Sequence, residues 1–537
     1  MHTCLNVDEI VRLIACELIA SRARPTAVAL ASCCKNFEDP VLDALWETQD
    51  KLLPLLKSLP SDVWNGSGCT VSAPIVHVSL SLNYLVLESF KRLPTMSEWA
   101  RFRKYARRIG KLTGFRDAQS PEVLSVLQFY AANEPLFPNL QTLDMWYGEN
   151  PIQFIPLFLS TRTSTIRIWD FQCDLPIATV ASMITAFPTL CPNLQEITLP
   201  NLPSDPMVVA AVSGILLTIN RNALQCFRVD SPLTEEADRV VYNLPNLRDL
   251  SVIIGKGTSL PSAVLPNLTN LVVIYDYDND VVRMFHGATF GKLVAVSFSP
   301  RSEQIGNFLE AFERVALAAS VQNTLSEFYL YTERSWNPNY SSLLPFTQLM
   351  TLEIQSSCHD GCSSSVDDGV ITDLARAMPK LQRLELGDPP CRDIPTGVTI
   401  KGLVALAHHC PNLYSLCVHL HVDSLCVPST IPLVNPGVGP TALQGDCDLS
   451  NLEVGKIPLP EDSVATVALT LAHIFPNIEG INCVDENWDK VLDAICNSRE
   501  IIFRSGEGHP LSAPRSDLSD TSPGATLDPE PTPEGAI

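Results

Sequence analysis

The sequence predicts an α/β fold of the solenoid type, with short parallel strands inside and helices outside, preceded by a short three-helix domain. A phrase of the form L-x-x-L-x-L, with Ile, Val or Phe allowed, recurs at intervals of about 20 to 36 residues. An amphipathic helical pattern precedes many copies. The length of 537 residues is large for one compact core and favours several domains or an elongated repeat.

Residues 1–50 are predicted to form three short helices. Asn6 and Glu9 have the spacing of a capping box, and Pro25 and Pro40 are suited to the first turns of the second and third helices. Apolar residues fall at helical spacing in the first segment: Ile10, Leu13, Ile14 and Leu18. A domain this small usually completes its core against a partner or a neighbouring domain.

This stretch resembles the F-box, whose pattern begins L-P-x-E-[IL] and closes near L-x-x-V-C-K-x-[WF]. The matching positions are Leu5, Glu9, Ile10, Ile14, Leu18, Leu30, Cys33, Cys34, Lys35 and Phe37, and Asn6 stands where the family prefers proline. The resemblance implies docking onto a Skp-family adaptor that links F-box proteins to a cullin ubiquitin ligase. The implied adaptor-binding residues are Leu5, Ile10, Ile14, Leu18, Leu30, Lys35 and Phe37. The alternative is a plain three-helix cap on the solenoid.

Residues 51–108 are predicted to be a linker and the N-terminal cap of the repeats. The stretch from Trp99 to Arg116 contains seven basic residues. Trp99, Phe102, Ala106 and Ile109 share one helical face, and most of the basic residues lie elsewhere. Two interpretations remain open: a patch for an acidic partner, or a solvated face whose aromatic residues cap the solenoid.

Residues 109–500 contain the repeats. The first positions of the copies are Leu140, Thr163, Leu194, Leu224, Leu247, Leu268, Leu293, Leu325, Leu349, Leu381, Leu413, Leu449 and Ile478. The last four residues of each copy alternate in polarity, which predicts a short strand with one buried face. A single repeat cannot bury its apolar side, so stacked repeats are expected to share one elongated core.

The repeats resemble leucine-rich repeats of the cysteine-containing type from about Ile109 to Cys496. The ladder residue usual in that family, Asn or Cys after the last Leu, is replaced in several copies, for example by Gly148 and Leu202. An F-box followed by such repeats resembles F-box proteins abundant in fungi. The Pro- and Gly-rich stretch 423–448 is predicted to be an inserted loop, and the acidic, Pro- and Ser-rich segment 501–537 a disordered tail.

The segment from His408 to Cys426 contains four histidines and three cysteines and raises the question of a zinc site. The repeat pattern offers a simpler interpretation. Cys410 ends a helix, Leu413, Leu416 and Val418 are buried strand positions, and Cys417 and His419 alternate outward. Because Cys410 and Cys417 are then dispersed, we expect no stoichiometric zinc.

No motif predicts catalysis or a cofactor. The acidic stretch at Asp276, Asp278 and Asp280 lacks the glycine and glutamate of a calcium loop and is interpreted as a post-strand loop. The segment 255–259 lacks the Walker spacing and is not a P-loop, and the segment 356–365 is interpreted as a polar loop. Ser–His–Asp or Cys–His catalytic groupings are not identifiable. We therefore expect a protein that is not an enzyme.

The formal net charge of −22 argues against general binding to nucleic acid or to anionic membranes. The longest apolar run, Met207 to Ile219, is short for a bilayer, and Asp8 and Glu9 do not suit a signal peptide. We expect a cytoplasmic or nuclear protein whose 17 cysteines are mostly reduced thiols.

Side chains opposite the buried strand positions are expected to line the concave face of the repeats. Trp, Tyr and Arg are enriched at binding hot spots. The predicted target-binding residues are Trp146, Arg167, Trp169, Arg228, Tyr329, Tyr331, Arg383 and His419. Irregular repeats that bury some of these aromatic residues are the alternative.

The function implied by these features is that of a substrate-recognition subunit of a Skp–cullin–F-box (SCF) ubiquitin ligase. The F-box would hold the adaptor, and the repeats would hold a target protein that the sequence does not identify. The alternative is a leucine-rich-repeat interaction scaffold without a ligase role.

Overall fold

The computed structural model describes most of the repeat region and the N-terminal helices. The described residues are 7–65, 89–115, 121–131, 134–146, 152–169, 176–254, 263–301, 307–332, 338–356, 366–387, 397–421, 447–455, 457–483 and 485–506. The predicted inserted loop at 423–448 and the tail beyond residue 506 lie almost wholly outside them, as does Leu5.

Three helices form an N-terminal module: α1 Asp8–Ala20, α2 Arg24–Cys33 and α3 Lys35–Glu47. The module has a small core of its own, made of Val11, Ala15, Ala27, Phe37, Val41 and Ala44. Pro25 lies in the first turn of α2, as predicted. Pro40 does not begin a helix; it lies inside α3, whose start is five residues earlier. Val7 is the N-cap residue of α1, and the predicted cap Asn6 is outside the described residues.

The module joins the repeats through the sheet itself. Strand β1 (Thr48–Gln49) follows α3 directly and pairs in parallel with β4 (Lys111–Phe115). The backbone N–H of Gly110 donates to the carbonyl of Glu47 at 2.9 Å. The predicted boundary at residue 50 therefore falls one residue after a strand that belongs to the repeat sheet.

Between these strands lie the short elements α4 Leu53–Leu56, β2 Trp64–Asn65, β3 Ser89–Phe90 and α5 Met96–Ala106. Helix α5 begins at a complete capping box, in which Thr95 and Glu98 satisfy each other's backbone N–H groups. Trp99, Phe102, Ala106 and Ile109 are buried, as predicted from their shared face.

The repeats form one parallel sheet of 15 strands in the described part of the chain. After β1 and β4 its members are β5 Thr142–Trp146, β6 Thr165–Trp169, β7 Glu196–Leu199, β8 Cys226–Val229, β9 Asp249–Ile254, β11 Asn270–Tyr275, β13 Ala295–Pro300, β14 Glu327–Thr332, β15 Thr351–Ser356, β16 Arg383–Leu386, β17 Ser415–Val418, β18 Asn451–Gly455 and β19 Gly480–Cys483. Strands β10 Ala263–Leu265 and β12 Ala288–Phe290 form a separate parallel pair. Each of the thirteen predicted copies starts a strand two residues after its first position.

The register of the sheet is continuous, so that equivalent residues of successive repeats lie side by side. One row, from Leu112 to Ile481, is made entirely of apolar residues that are almost completely buried. Its members are Leu112, Leu143, Ile166, Ile197, Phe227, Leu250, Leu271, Val296, Phe328, Leu352, Leu384, Leu416, Leu452 and Ile481. This row is the part of the common hydrophobic core that the sheet contributes.

Helices cover the core side of the sheet. They are α6 Pro121–Tyr130, α7 Ile155–Phe158, α8 Ile177–Leu190, α9 Pro206–Thr218, α10 Glu235–Val241, α11 Asp278–Gly287, α12 Phe308–Ala318, α13 Asp368–Ala377, α14 Ile400–His409, α15 Val464–Ile474 and α16 Glu486–Gly506. Short 3-10 turns are at Ile152–Phe154, Val321–Asn323, Tyr340–Leu343 and Glu461–Ser463. The α/β solenoid, with parallel strands inside and helices outside, is thus the fold that the repeat pattern predicts.

Two predicted irregular segments are helical. The acidic stretch after β11 is not a loop, because α11 begins at Asp278 and continues through Gly287. Helix α16 runs to Gly506, so residues 501–506, assigned to the tail from the sequence, continue a helix. The apolar run Met207 to Ile219 forms α9 with its cap, and none of the described helices is long and apolar enough to cross a membrane.

Polar side chains connect successive repeats at the amino-terminal edge of the sheet. In several copies, the side chain immediately before the first position donates a hydrogen bond to the preceding repeat. Asn246 donates to the carbonyl of Asn222 and Asn267 to that of Pro245, both at 2.9 Å. Lys292 donates to the side chain of Asn267 at 3.0 Å. These bonds connect successive repeats at the end of the strand opposite to the usual ladder position.

Aromatic rings fill the middle of the core. Phe312 of α12 is fully buried. Its ring lies 5.2 to 6.2 Å, centroid to centroid, from those of five other residues. These are Phe285, Phe298, Phe308, Phe328 and Phe346. The residues come from two helices, two strands and the segment that follows the 3-10 turn at Tyr340–Leu343, so the cluster connects several consecutive repeats.

Asp238 of α10 should make stability depend on pH. Burial, and then the nearby Glu235, raises the pKa of its carboxyl from 3.8 to about 6, and its exposed fraction is 7%. The unfolded chain loses this proton at lower pH than the folded chain, so the free energy of unfolding falls as pH rises from about 4 to about 6. We expect Asp238→Asn to remove this decrease and to be more stable than the wild type at pH 7 by about 2–3 kcal/mol. Urea unfolding at pH 4 and pH 7 measures the difference, and an equal pH response in both proteins would contradict it.

Candidate protein-binding surfaces

The face of the sheet opposite the helices, termed the open face, carries the residues that the sequence predicts to bind a target. Its central row contains Asp144, Arg167, Thr198, Arg228, Ser251, Val272, Ser297, Tyr329, Glu353, Glu385, Cys417, Glu453 and Asn482 in continuous register. Alternation along each strand therefore brings Arg167, Arg228 and Tyr329 into one row. Their role in binding a target stays a prediction.

A first cluster lies on β5 to β7. The indole N–H of Trp169 donates to Asp144 Oδ1 at 2.9 Å. Arg167 donates to both carboxylate oxygens of Glu196, at 2.6 and 2.8 Å, and lies 3.6 Å from Asp144 Oδ2. The hydrogen bond to Glu196 raises the pKa of Arg167. Trp146 pairs in register with Trp169, but its side chain is outside the described part of the structure.

A second cluster lies on β8, β9 and β11. Arg228 donates to Asp249 Oδ1 at 2.7 Å. The amide of Asn270 donates to the same oxygen, and Ser251 donates to Asp230 Oδ1 at 3.2 Å. As with Arg167, the guanidinium of Arg228 is paired with a carboxylate within the chain, and its side chain is 41% exposed.

The third cluster, termed the tyrosine site, consists of Tyr329, Tyr331, Glu353, Arg383 and Glu385. The two tyrosine rings are stacked, with centroids 6.2 Å apart and planes inclined by 17°. Tyr331 donates to Glu353 Oε2 at 2.9 Å. Arg383 lies 2.8 Å from Glu353 Oε1 and 2.6 Å from Glu385 Oε1, so one guanidinium joins two carboxylates.

Burial distinguishes the tyrosine site from ordinary strand surface. Glu353 and Glu385 are only 5% and 6% exposed, whereas Tyr331 is 38% exposed. Burial raises the pKa of Glu353, and burial followed by the carboxylate of Glu327 raises that of Tyr329 to about 12. The alternative, that irregular repeats bury some of the aromatic residues, does not apply to Tyr331, which is exposed. The sequence pattern missed that the carboxylates, rather than the rings, are the buried groups.

His419 and Cys417 lie further along the sheet. His419 follows β17 and is half-buried; burial, and then His421, lowers its pKa. Cys417 occupies the open-face row as predicted but is only 5% exposed. Cys410 is buried, its thiol donates to the carbonyls of Ala375 and Met378 at 3.7 Å, and burial raises its pKa to about 12.

A thiol with that environment favours its protonated form, which is not a metal ligand. Among the described residues, groups of three or more His, Cys, Asp or Glu side chains arranged to hold a metal ion are not found. The absence of zinc remains a prediction for elemental analysis of the purified protein, since residues 422–426 of this segment lie outside the described ranges.

A second candidate surface is the three-helix module. Of the residues that the F-box resemblance places at the adaptor, Ile14 is 39% exposed, Ile10 is half-buried and Lys35 is exposed. Leu18 and Leu30 pack against the module's core, and Phe37 belongs to it. Phe37 therefore supports a docking surface only indirectly, by stabilising the core of the module. The implied adaptor-binding set leaves out Leu13, although it falls at the helical spacing of α1, and Val28; they are 68% and 53% exposed.

The basic stretch around α5 has acidic partners within the chain. Arg108 forms ion pairs with Asp39 and Asp43 of α3, and Lys104 lies 3.5 Å from Glu38. The rings of Trp46 and Tyr105 lie 5.0 Å apart at the same contact. These pairs fix α3 against the first solenoid helix. They favour an internal role for this stretch over a patch that awaits an external acidic partner.

Comparisons with known proteins do not assign the chain to a family. No family model and no curated protein matches the chain. A crystal structure of the leucine-rich repeat-containing protein LegL7 from Legionella pneumophila matches with a TM-score of 0.24 and 9% sequence identity. The match covers 75% of this chain and 99% of LegL7. The assignment of a leucine-rich-repeat fold rests on the strand register of the chain itself, and such a fold suits protein–protein interaction.

Proposed function

We propose that the chain is the substrate-recognition subunit of an SCF-type ubiquitin ligase. The three-helix module binds a Skp-family adaptor, and the open face of the repeats binds a target protein. The chain performs no chemistry itself and acts in the cytoplasm or nucleus. It holds the target near the ubiquitin-loaded enzyme, and proximity raises the rate of transfer to lysine.

The observation that carries this proposal is the construction of the module. It has a separate small core, yet its first two helices leave Leu13, Ile14 and Val28 exposed. Leu13 and Ile14 are neighbours on α1, and adjoining exposed apolar side chains are typical of a protein-binding site. The F-box resemblance of the same residues supports a Skp-family adaptor as the protein that covers them.

The second candidate is an interaction scaffold without a ligase role. The firm attachment of α3 to α5 and β4 favours it, because a solenoid needs a polar cap at its end. In that case the module closes the repeat core and binds no adaptor.

Reconstitution with purified proteins separates the two candidates. The full chain is mixed with a Skp-family adaptor bound to a cullin and analysed by size-exclusion chromatography. Co-elution at micromolar concentration supports the ligase role. Separate elution at concentrations up to about 50 μM, with the chain folded, would favour the scaffold, since specific protein complexes are typically tighter than this.

A further inference from the structure

The amino-terminal edge of the sheet differs in charge from the rest of the chain. Nine segments lead into the strands from β6 to β16 along this edge: 159–164, 191–195, 219–225, 242–248, 266–269, 291–294, 319–326, 344–350 and 378–382. They contain no aspartate or glutamate and five exposed cations, which are Arg162, Arg221, Arg248, Lys292 and Lys380. These five residues, termed the cationic edge, form a local reversal of the net charge of −22.

The charge of the cationic edge is not compensated within the described part of the chain. Three of the cations donate to neutral side-chain amides at 2.6 to 3.0 Å: Arg162 to Asn139, Lys292 to Asn267 and Lys380 to Gln348. The carboxylates that begin β7 and β9, Glu196 and Asp249, pair instead with arginines of the open face. Within the described ranges, none of the five cations forms an ion pair with a carboxylate.

Stabilisation of the neighbouring helices does not account for the position of these cations. A cation offsets a helix dipole mainly within the last turn of the helix. Lys292 follows strand β12 rather than a helix. The helices that precede the other four cations end at least three residues earlier, at Phe158, Thr218, Val241 and Ala377. The exposed charges are therefore available to a binding partner.

The cationic edge has the length of a short extended peptide. Strands β6 and β16 are eight inter-strand steps apart in the sheet, which is about 38 Å at about 4.8 Å per step. An extended segment of about 12 residues spans this distance. Val294 and Met350 lie on the same edge and are half-buried, so they offer apolar contacts between the charged positions.

We propose that the cationic edge binds an extended acidic segment of a partner protein, whose carboxylates pair with the five cations. Nucleic acid fits less well, because a duplex carries one phosphate charge per about 1.7 Å, far denser than five cations over about 38 Å. This inference goes beyond the proposed function and does not depend on it, since the cationic edge is separate from both the three-helix module and the open face.

The test uses the full chain and three fluorescein-labelled probes, with binding followed by fluorescence anisotropy. The probes are the peptides (Gly-Glu-Ser-Glu)3 and (Gly-Gln-Ser-Gln)3 and an oligothymidylate of twelve nucleotides. We expect the glutamate peptide to bind despite the net charge of −22, more weakly as salt is added, and the glutamine peptide not to bind. The edge variant, with Arg221→Gln, Arg248→Gln and Lys292→Gln, should bind the glutamate peptide about tenfold more weakly, because three exposed ion pairs are lost.

A matched control removes three exposed cations that lie elsewhere. Arg24 belongs to the module, and Arg301 and Lys401 lie at the carboxyl-terminal edge of the sheet. The control variant with all three replaced by glutamine loses the same charge and should bind within about twofold of the wild type, since distant charges are screened. Thermal unfolding confirms that each variant is folded. If the edge variant unfolds, Arg221→Gln alone should weaken binding about threefold, and Lys401→Gln alone should leave it unchanged.

Residues 507–537 of the chain itself contain six acidic residues and one basic residue, so they carry the same chemistry as the glutamate peptide. A full-length variant neutralises five of the six: Asp517→Asn, Asp520→Asn, Asp528→Asn, Glu530→Gln and Glu534→Gln. We expect this variant to bind the glutamate peptide within about twofold of the wild type. Binding stronger by about tenfold or more would assign the cationic edge to the chain's own acidic segment and overturn an external partner.

Three further results would overturn the proposal. The first is failure of the glutamate peptide to bind both the wild type and the variant with the neutralised acidic segment. The second is equal weakening by the edge and control variants, because that would reveal dependence on net charge alone. The third is tighter binding of the oligothymidylate than of the glutamate peptide, lost in the edge variant, which would make nucleic acid the occupant.

Discussion

Replacement of both Ile10 and Ile14 with alanine should abolish adaptor binding while the repeats stay folded. The two residues are one helical turn apart on α1, and Ile14 is 39% exposed. Both lie next to the face of α1 that carries the buried residues Val11 and Ala15. Apolar anchors at the centre of an interface typically contribute 2 kcal/mol or more each, so we expect binding to weaken by about a thousandfold. Isothermal titration calorimetry with the purified adaptor measures the loss.

A matched control uses apolar residues that are more exposed than Ile10 and Ile14 but belong to the solenoid. Met207 of α9 and Leu469 of α15 are 54% and 67% exposed. The Met207→Ala and Leu469→Ala double variant should bind the adaptor like the wild type. Full binding by the soluble, folded Ile10→Ala and Ile14→Ala variant would exclude the F-box assignment. Phe37→Ala is unsuitable for this purpose, because it opens a cavity in the module's core.

Phe312→Ala should destabilise the repeats strongly. Phe312 is fully buried and lies against five other phenylalanine rings. Truncation of a buried phenylalanine to alanine costs about 3–5 kcal/mol, through lost burial and the cavity that remains. Denaturant unfolding followed by far-ultraviolet circular dichroism measures this loss. A change below about 1 kcal/mol would mean that neighbouring rings close the cavity.

Tyr275→Phe is the control in the same cluster. Tyr275 stacks on Phe308 with ring centroids 5.3 Å apart, and its buried hydroxyl has no hydrogen-bond partner in the described structure. A buried hydroxyl without a partner costs about 1–3 kcal/mol, so its removal should leave stability unchanged or increase it. Clear destabilisation by Tyr275→Phe would point to a partner of the hydroxyl, such as a bound water.

The strands of the repeats were predictable because their signal is local and repeated. Even the weak copy at Thr163 starts a strand at Thr165, since Ile166 and Ile168 alternate as the core requires. The strand β1 was missed because Thr48 and Gln49 carry no apolar pair. Gln49 is instead held by a hydrogen bond to the carbonyl of Leu45 at 2.8 Å. Its place in the sheet is set by pairing with β4, a tertiary contact that no local pattern records.

The sequence predicted which residues lie on the open face, but not which of them are buried or paired. Alternation along the strand places Glu353 on the open face, yet only the three-dimensional structure buries it between Tyr331 and Arg383 of neighbouring strands. These partners are 22 and 30 residues away in sequence. The ion pairs of the basic stretch around α5 could not be predicted for the same reason. Their acidic partners lie in α3, and only the folded structure brings the two segments together.

Because β1 pairs with β4, the three-helix module is attached at a fixed position at one end of the repeat sheet. Nine inter-strand steps separate β1 from β14 in the sheet. At about 4.8 Å per step, the tyrosine site lies about 43 Å along the sheet from the end of α3. Insertion or deletion of one repeat between them would change this separation by about 5 Å and rotate the site by the twist of one strand pair. The number of repeats between β1 and β14 thus sets the distance and the angle between a protein bound to the module and a protein bound to the open face.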